Sequence, residues 1–267
     1  MDATSPAPQP SADPPPASGP LLRVRGLRKS YGGREILSGV DFELGRGDSL
    51  VILGRSGSGK SVTLRQINGL EQPDDGSVQL DGEELTGLRE QELFPFRRRI
   101  GMLFQSGALF DSMNVLENID FPLREHTSLG KDEIAEGVRE KLAMVQLPGI
   151  EERMPSDLSG GMRKRVALAR SLALEPELML YDEPTTGLDP VTSAAIGQLI
   201  QHTQRELGVS SVIVTHDLPL ARTASRRLAF LFEGRFRFYG TWAEADASDD
   251  PVLTGFLSGR AEMDDAA

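Results

Sequence analysis

From Leu21 onward the spacing of apolar and polar residues changes rhythm, and each rhythm predicts an element. Residues 21–31 (LLRVRGLRKSY) and 36–44 (ILSGVDFEL) alternate apolar with polar positions, the period of a strand with one buried face. Ser49 to Leu53 is an unbroken apolar run, as in a strand covered on both faces. A Gly-rich turn, Gly54 to Ser61, follows it and leads into a helix through about Asn68. Residues 77–85 (SVQLDGEEL) read as one further strand and 100–105 (IGMLFQ) as another buried one. Between about Ser112 and Ala173 the period becomes helical: Ile134, Val138, Leu142 and Val145 recur at that spacing, as do Met162, Val166, Ala169 and Leu172. Short apolar strands return at 177–182 (ELMLYD) and 211–216 (SVIVTH), with a helix from Pro190 to Leu207 between them. Residues 229–240 (AFLFEGRFRFYG) predict a hairpin with Gly234 in its turn. The pattern is that of an α/β fold with a mostly helical lobe inserted between strands, and it contains no internal repeat.

Composition adds boundaries. A chain of 267 residues suits one large α/β domain or a domain with an inserted lobe. Residues 1–20 are Pro, Ala and Ser rich and bury too little apolar surface to order themselves, so a disordered tail is expected there. Cysteine is absent, which excludes disulfides and thiolate metal sites. The net charge of −11 is concentrated at the ends: −2 falls in residues 1–20 and −6 in residues 241–267, leaving −3 for everything between. That balance speaks for solubility and against a general nucleic-acid surface. No apolar run reaches the roughly 18 to 20 residues that span a bilayer, and the start of the chain lacks a secretory or transit pattern. Membrane association is therefore expected through a partner.

The chemistry sits at strand ends. Gly54-Arg55-Ser56-Gly57-Ser58-Gly59-Lys60-Ser61 matches G-x-x-x-x-G-K-[ST] between an apolar strand and a helix. Glycines let the backbone wrap phosphates and aim several N–H groups inward, and the helix N-terminus favours anions. Lys60 is then placed for the β- and γ-phosphates and the Ser61 hydroxyl for Mg²⁺. Asp182 and Glu183 follow the apolar strand Leu178 to Tyr181, at the edge where α/β folds bind ligands. Asp182 is placed to hold Mg²⁺ and Glu183 to polarise an attacking water as general base. Gln105 and His216 also end strands, so Gln105 can reach Mg²⁺ or the water, and His216 can donate to the γ-phosphate.

At this point the sequence resembles the ATP-binding cassette ATPases. Leu158-Ser-Gly-Gly-Met162 is similar to the family's signature motif, about 20 residues before Asp182, with Met162 where Gln is commonest. The resemblance covers about residues 21–240. It implies Tyr31 as the adenine-stacking aromatic, Gly54 to Val62 as the ATP-binding loop, Gln105 as the Q-loop, Thr186-Gly-Leu-Asp189 as the D-loop and His216 as the switch histidine. It also implies a P-loop NTPase core of RecA-like type with an antiparallel β subdomain and an inserted helical subdomain at about 106–175. The cassette would occupy 21–245, with a short acidic extension at 246–267. The cofactors implied are ATP and Mg²⁺. Ser159, Gly160 and Gly161 open a helix and so form a second small-residue anion site. The family resolves the pair with a head-to-tail dimer in which one subunit's signature caps the other's γ-phosphate; a plain N-cap role for Ser159 is the alternative. Arg163-Lys164-Arg165 reads equally as added positive potential or as a solvated helix face, and Arg97-Arg98-Arg99 is assigned nothing.

A narrower likeness concerns residues 104–115 (FQSGALFDSMNV), 121–127 (FPLREHT) and the end of the chain, Asp250-Pro and 256–259 (FLSG). These resemble the ATPases of lipid transporters that work with mammalian-cell-entry (MCE) domain proteins, the maintenance-of-lipid-asymmetry (Mla) branch among them. A longer C-terminal extension found in some relatives is missing. The resemblance implies an integral membrane permease, a second ATPase subunit and an MCE-domain protein as partners, no nucleic acid, and a peripheral place on the cytoplasmic face of the inner membrane. The alternatives are an importer ATPase for a small polar solute, such as an amino acid, and a non-transport ATPase. The segment from Ser106 to Thr127 carries Leu109, Phe110, Met113, Val115, Leu116, Phe121 and Leu123. About half are expected to pack inside the lobe and the rest to line a groove for a permease helix.

Overall fold

A computed structural model describes residues 19–259. The tail at 1–20, but for its last two residues, and the end of the acidic extension lie outside the described residues. In chain order the elements begin with strands β1 (Leu22–Tyr31), β2 (Arg34–Leu44) and β3 (Ser49–Leu53), then helix α1 (Lys60–Ile67). Strands β4 (Asp75–Leu80) and β5 (Glu83–Glu84), helix α2 (Glu90–Arg99) and strand β6 (Ile100–Leu103) follow. Helices α3 (Val115–His126), α4 (Lys131–Met144) and α5 (Gly160–Ser171) come next without an intervening strand. Strand β7 (Leu178–Asp182), helix α6 (Pro190–Leu207), strand β8 (Ser210–Val214) and helix α7 (Leu218–Ala224) lead to strands β9 (Arg227–Phe232) and β10 (Arg235–Thr241) and helices α8 (Trp242–Asp246) and α9 (Pro251–Leu257). The described residues divide into two compact units, 19–87 with 214–259, and 88–213.

The first unit holds an antiparallel sheet in the order β2-β1-β4-β5. Its register sets Leu22 against Leu44 and Leu80, and Val24 against Phe42 and Val78, so one buried apolar row crosses three strands. β1 is irregular after Val24, where Gly76 of β4 comes so close that a Cβ on it would lie 2.6 Å from the carbonyl oxygens of Arg25 and Gly26. Residues 77–85 form two strands rather than the single one their pattern predicts. Asp81 and Gly82 both take positive φ, 55° and 82°, the two-residue turn that D-G favours. A second run of strands, β10-β9-β3, has β9 antiparallel to β10 and parallel to β3. Glu233 and Gly234, at φ 48° and 74°, make the tight turn between β9 and β10. The hairpin is fastened to β2 by Ser38 N–H on Gly234 C=O (2.9 Å) and by the Tyr239 hydroxyl on Glu43 C=O (3.1 Å).

In the second unit β6 lies parallel to β7, Ile100 opposite Leu178 and Leu103 opposite Tyr181, and β8 follows on the far side of β7. Every residue of β7 and β8 is buried, which explains the apolar runs Leu178 to Tyr181 and Val212 to Val214. α3 packs on α4 and α5 through Val115, Ile119, Leu123, Ile134, Val138, Leu142, Val166 and Leu168, all buried. Asn114 starts α3 by accepting from Glu117 N–H at 2.8 Å, while the Glu117 carboxylate accepts from Asn114 N–H at 2.9 Å, a reciprocal box. α2 carries no apolar stripe to announce it, because only Leu93 is buried. Its start is fixed instead by Arg89 N–H donating to Glu92 at 2.8 Å.

Candidate functional site

The first unit builds the phosphate loop. β3 is buried from Leu50 to Leu53 and delivers the chain to Gly54, where a Cβ would sit 2.6 Å from Leu231 C=O and 2.7 Å from Ser58 Oγ. Gly59 stands at φ 102°, and a Cβ there would meet Leu37 at 2.7 Å, so strain and contact both require glycine. Gly59 is the N-cap of α1 and offers no side-chain cap to it. Lys60 is buried, and its ammonium donates to Gly54 C=O (2.8 Å) and Arg55 C=O (3.1 Å), which holds it across the loop. Ser58 Oγ is buried with no hydrogen-bond partner, a polar atom that a phosphate oxygen suits. Thr215 N–H donates to Ile52 C=O at 3.3 Å, which sets exposed His216 beside the end of β3. Asp217 follows and caps α7 by accepting from Leu220 N–H at 3.0 Å. Tyr31 ends β1 with 42% of its surface exposed, and the Lys29 ammonium lies 5.7 Å from the ring centre. Burial and the hydrogen bond to Glu71 raise its phenol above the ordinary range.

The second unit carries the carboxylates. The parallel register of β6 and β7 brings Gln105 and the Asp182-Glu183 pair to one edge. Both acids are 8% exposed, and Glu183 holds φ 47°, a left-handed conformation that costs a non-glycine residue strain. Thr186 N–H donates to Glu183 C=O at 3.2 Å and closes the turn. Ser159 caps α5, accepting from Met162 N–H at 3.3 Å, so the plain cap role is present. Gly160 and Gly161 open the helix, and a Cβ on Gly161 would lie 2.6 Å from Thr192 Cγ2, which makes glycine the condition for α5 to lie against α6. Asp189 caps α6, accepting from Val191 and Thr192 N–H at 3.0 Å each and from the Thr192 hydroxyl at 2.5 Å. These bonds, the hydroxyl's first, draw its carboxyl below the usual carboxylate range.

One residue differs from its reading. Of Arg163-Lys164-Arg165, Arg163 is exposed, but Lys164 is 6% exposed and donates to the Gln105 carbonyl. Burial lowers its ammonium pKa, while Asp182 and Glu183 act in the opposite direction. The signal was available in the helical period, since Gly161, Lys164 and Leu168 share one buried face.

The segment after Gln105 divides as follows. Val115, Ile119 and Leu123 are buried, Leu109, Met113, Leu116 and Phe121 are half-buried, and Phe110 is 43% exposed. The Phe110 ring meets Phe121 at 5.3 Å, and the Arg170 guanidinium lies 5.5 Å from its centre. Within this unit a cleft of ≈ 520 Å³ is lined by Pro95, Arg98 and Arg99 of α2, Leu123 and Thr127, Leu129, and Gly137 and Lys141 of α4. Of the seven expected apolar residues only Leu123 lines it, and Leu123 is buried.

Ser61, Asp182 and Gln105, the residues expected to hold Mg²⁺, each carry a side-chain oxygen, the donor type that suits that ion. Among the described residues there is no group of three or more His, Cys, Asp or Glu that could hold a metal ion.

Comparison with known proteins shows the family. Residues 37–186 match the ABC transporter family. The probable ribonucleotide transport ATP-binding protein mkl of Mycobacterium tuberculosis is 43% identical over 242 residues, 91% of this chain and 67% of its own. The intermembrane phospholipid transport system ATP-binding protein MlaF of Escherichia coli is 40% identical over 91% of this chain and 90% of its own. Protein trigalactosyldiacylglycerol 3, chloroplastic, of Arabidopsis thaliana is 42% identical over 90% of this chain and 74% of its own. The dimeric post-hydrolysis structure of the ATP-binding cassette MJ0796 bound to ADP and Pi is 33% identical, with a TM-score of 0.77 over 82% of this chain and 98% of that one. A fold of P-loop ATPase type, a phosphate loop bearing Lys60 and a strand ending in Asp182-Glu183 thus coincide with these likenesses, and the chain belongs to the ABC transporter family as an ATP-binding, ATP-hydrolysing cassette.

Proposed function

We propose that this ATPase powers the movement of phospholipid between membranes, through a separate permease and an MCE-domain protein. The observation that carries the reading is the 40% identity to a phospholipid-transport ATPase along nearly the whole of both chains. The Arabidopsis relative, which bears a glycolipid's name, supports it. The mycobacterial relative's name speaks for the alternative, a small polar solute. The lipid reading is preferred because residues 104–115 and 121–127 resemble the corresponding segments of the lipid-transport ATPases.

In this mechanism Tyr31 stacks on adenine. The loop from Gly54 to Val62, Arg55, Ser56, Gly57 and Ser58 among it, binds the phosphates through backbone N–H groups and Lys60. Ser61, Asp182 and Gln105 would hold Mg²⁺, which supplies charge neutralisation at the phosphates. Glu183 polarises the attacking water, a general-base contribution of roughly 10²- to 10⁴-fold. His216 donates to the γ-phosphate as charge builds there. Ser159, Gly160 and Gly161 of a second copy cap that phosphate, and Asp189 holds the loop that precedes α6. The cassette spans 21–245 with its helical subdomain at about 106–175, and a short permease helix docks against the segment from Ser106 to Thr127, where Phe110 is exposed. No helix among the described residues is long and apolar enough to cross a membrane, so a peripheral place on the cytoplasmic face of the inner membrane would depend on that permease.

Purification of the native membrane complex tests the substrate. Phospholipid bound to a complex that contains a permease and an MCE-domain protein is the expected result. A complex with a soluble-solute receptor and no bound lipid would rule the reading out.

A further inference from the structure

Lys164 is a buried cation on the helix that Ser159 opens. Its ammonium reaches the backbone carbonyl of Gln105, the residue that ends the β6 segment. Lys164 also lies within electrostatic range of Asp182 and Glu183. A buried ammonium without partners is costly, so its place is fixed by what it touches. The carbonyl it holds belongs to the residue whose side chain must be aimed, and a backbone clamped on one side leaves that side chain fewer orientations. α5 offers the clamp from a rigid element: Lys164 stands five positions after Ser159, and the helix is buried along Val166, Ala167, Leu168 and Ala169.

We propose that Lys164 is a positioning residue for ATP hydrolysis, holding the Gln105 backbone so that the Gln105 side chain is presented to the reacting phosphate and water. The inference rests on the assignment of Gln105 to the nucleotide site. It ties the signature helix of a subunit to that subunit's own Q-loop, so movement of α5 against a partner's nucleotide reaches Gln105 through one side chain.

The test is a double-mutant cycle on the full chain, with kcat and KM for ATP as readouts and thermal melting as a control for folding. Lys164→Met should lower kcat about tenfold with KM within about twofold of wild type, because its effect falls on Gln105 rather than on the phosphate loop. Lys164→Arg, which keeps a charged donor, should restore most of the loss. Gln105→Ala should itself lower kcat, and adding Lys164→Met to it should cost nothing further. Losses that multiply in the double variant, or wild-type kcat in Lys164→Met, overturn the inference. If Lys164→Met fails to fold, Lys164→Gln replaces it in the same cycle, and multiplied losses there overturn the inference equally. Wild-type kcat in Gln105→Ala would be a different failure: it would remove the Gln105 assignment, and the inference with it.

Discussion

Two helices of the candidate site, α1 and α5, begin at small residues, and they begin differently. α1 follows Gly59, held at φ 102° with no side chain to cap it. α5 follows Ser159, at φ −63°, whose hydroxyl already accepts from Met162 N–H. Both starts present N–H groups and the positive end of a helix dipole, so both attract anions. The first is shaped by its surroundings into a phosphate loop: β3 drives into it, Leu37 excludes any Cβ at Gly59, and Lys60 adds a full charge. The second has one N–H taken by the Ser159 hydroxyl, and its buried lysine, Lys164, donates to the Gln105 carbonyl rather than across the helix start. An uncapped helix start with a lysine binds a triphosphate by itself. A capped one whose lysine is turned elsewhere suits a phosphate that something else already holds, the role that the proposed head-to-tail dimer would give it.

The largest effect should come from the first start. Lys60→Ala should weaken ATP binding by on the order of a hundredfold, as charge-assisted hydrogen bonds to the phosphates are lost. Fluorescent-nucleotide titration reads it, and retained affinity would break the comparison at its stronger end. Ser159→Arg should do the opposite: ATP affinity of the isolated chain stays within about twofold while hydrolysis is blocked, because the intruding side chain acts on the partner's site. Weaker ATP binding in that variant would place Ser159 in its own chain's site. Ser159→Ala is milder, removing a cap at a cost of about 1 kcal/mol in stability. Its melting temperature should fall by several degrees at most, with hydrolysis reduced but present.

The smallest effect sharpens the contrast by using a start that serves structure alone. Asp250 caps α9 by accepting from Val252 N–H at 2.9 Å and pairs with Arg237 at 2.6 Å. The Arg237 guanidinium holds its carboxyl below the usual range. A carboxyl with a lowered folded pKa stabilises fully above its unfolded value near about pH 4 and loses that contribution as pH falls through the folded value. Asp250→Ala should therefore cost stability at neutral pH, narrow its difference from wild type toward acid, and leave the ATPase rate unchanged. A lowered rate would show that α9 takes part in the reaction.

The legible parts of the fold were those where burial wrote a long period. α6 runs from Pro190 to Leu207 as its pattern predicts, with Asp189 as cap and Gly208 at φ 62° as its end. β3, β7 and β8 are apolar because both faces are covered. The alternation at 77–85 predicts one strand because it runs through the hairpin, while the D-G turn that divides it is a backbone property of two residues. α2 was unreadable for want of a buried face. In the site, motifs exposed the residues whose chemistry requires a fixed type. Arg163 and Arg165 give Lys164 the look of a solvated run, although the helical period sets it on the buried face with Gly161 and Leu168; its partner follows from the course of the Gln105 backbone.

The claim that the two helix starts are halves of one site shared between chains is tested most directly by the mass of Glu183→Gln in solution. This variant keeps the shape of the glutamate and removes its basicity, so ATP binds and is not consumed. Light scattering should find a monomer without nucleotide, a dimer with ATP, and a monomer again with ATP when Ser159→Arg is added to the same chain. A Glu183→Gln chain that binds ATP fully and stays monomeric, or one that hydrolyses ATP at the wild-type rate, would contradict the account.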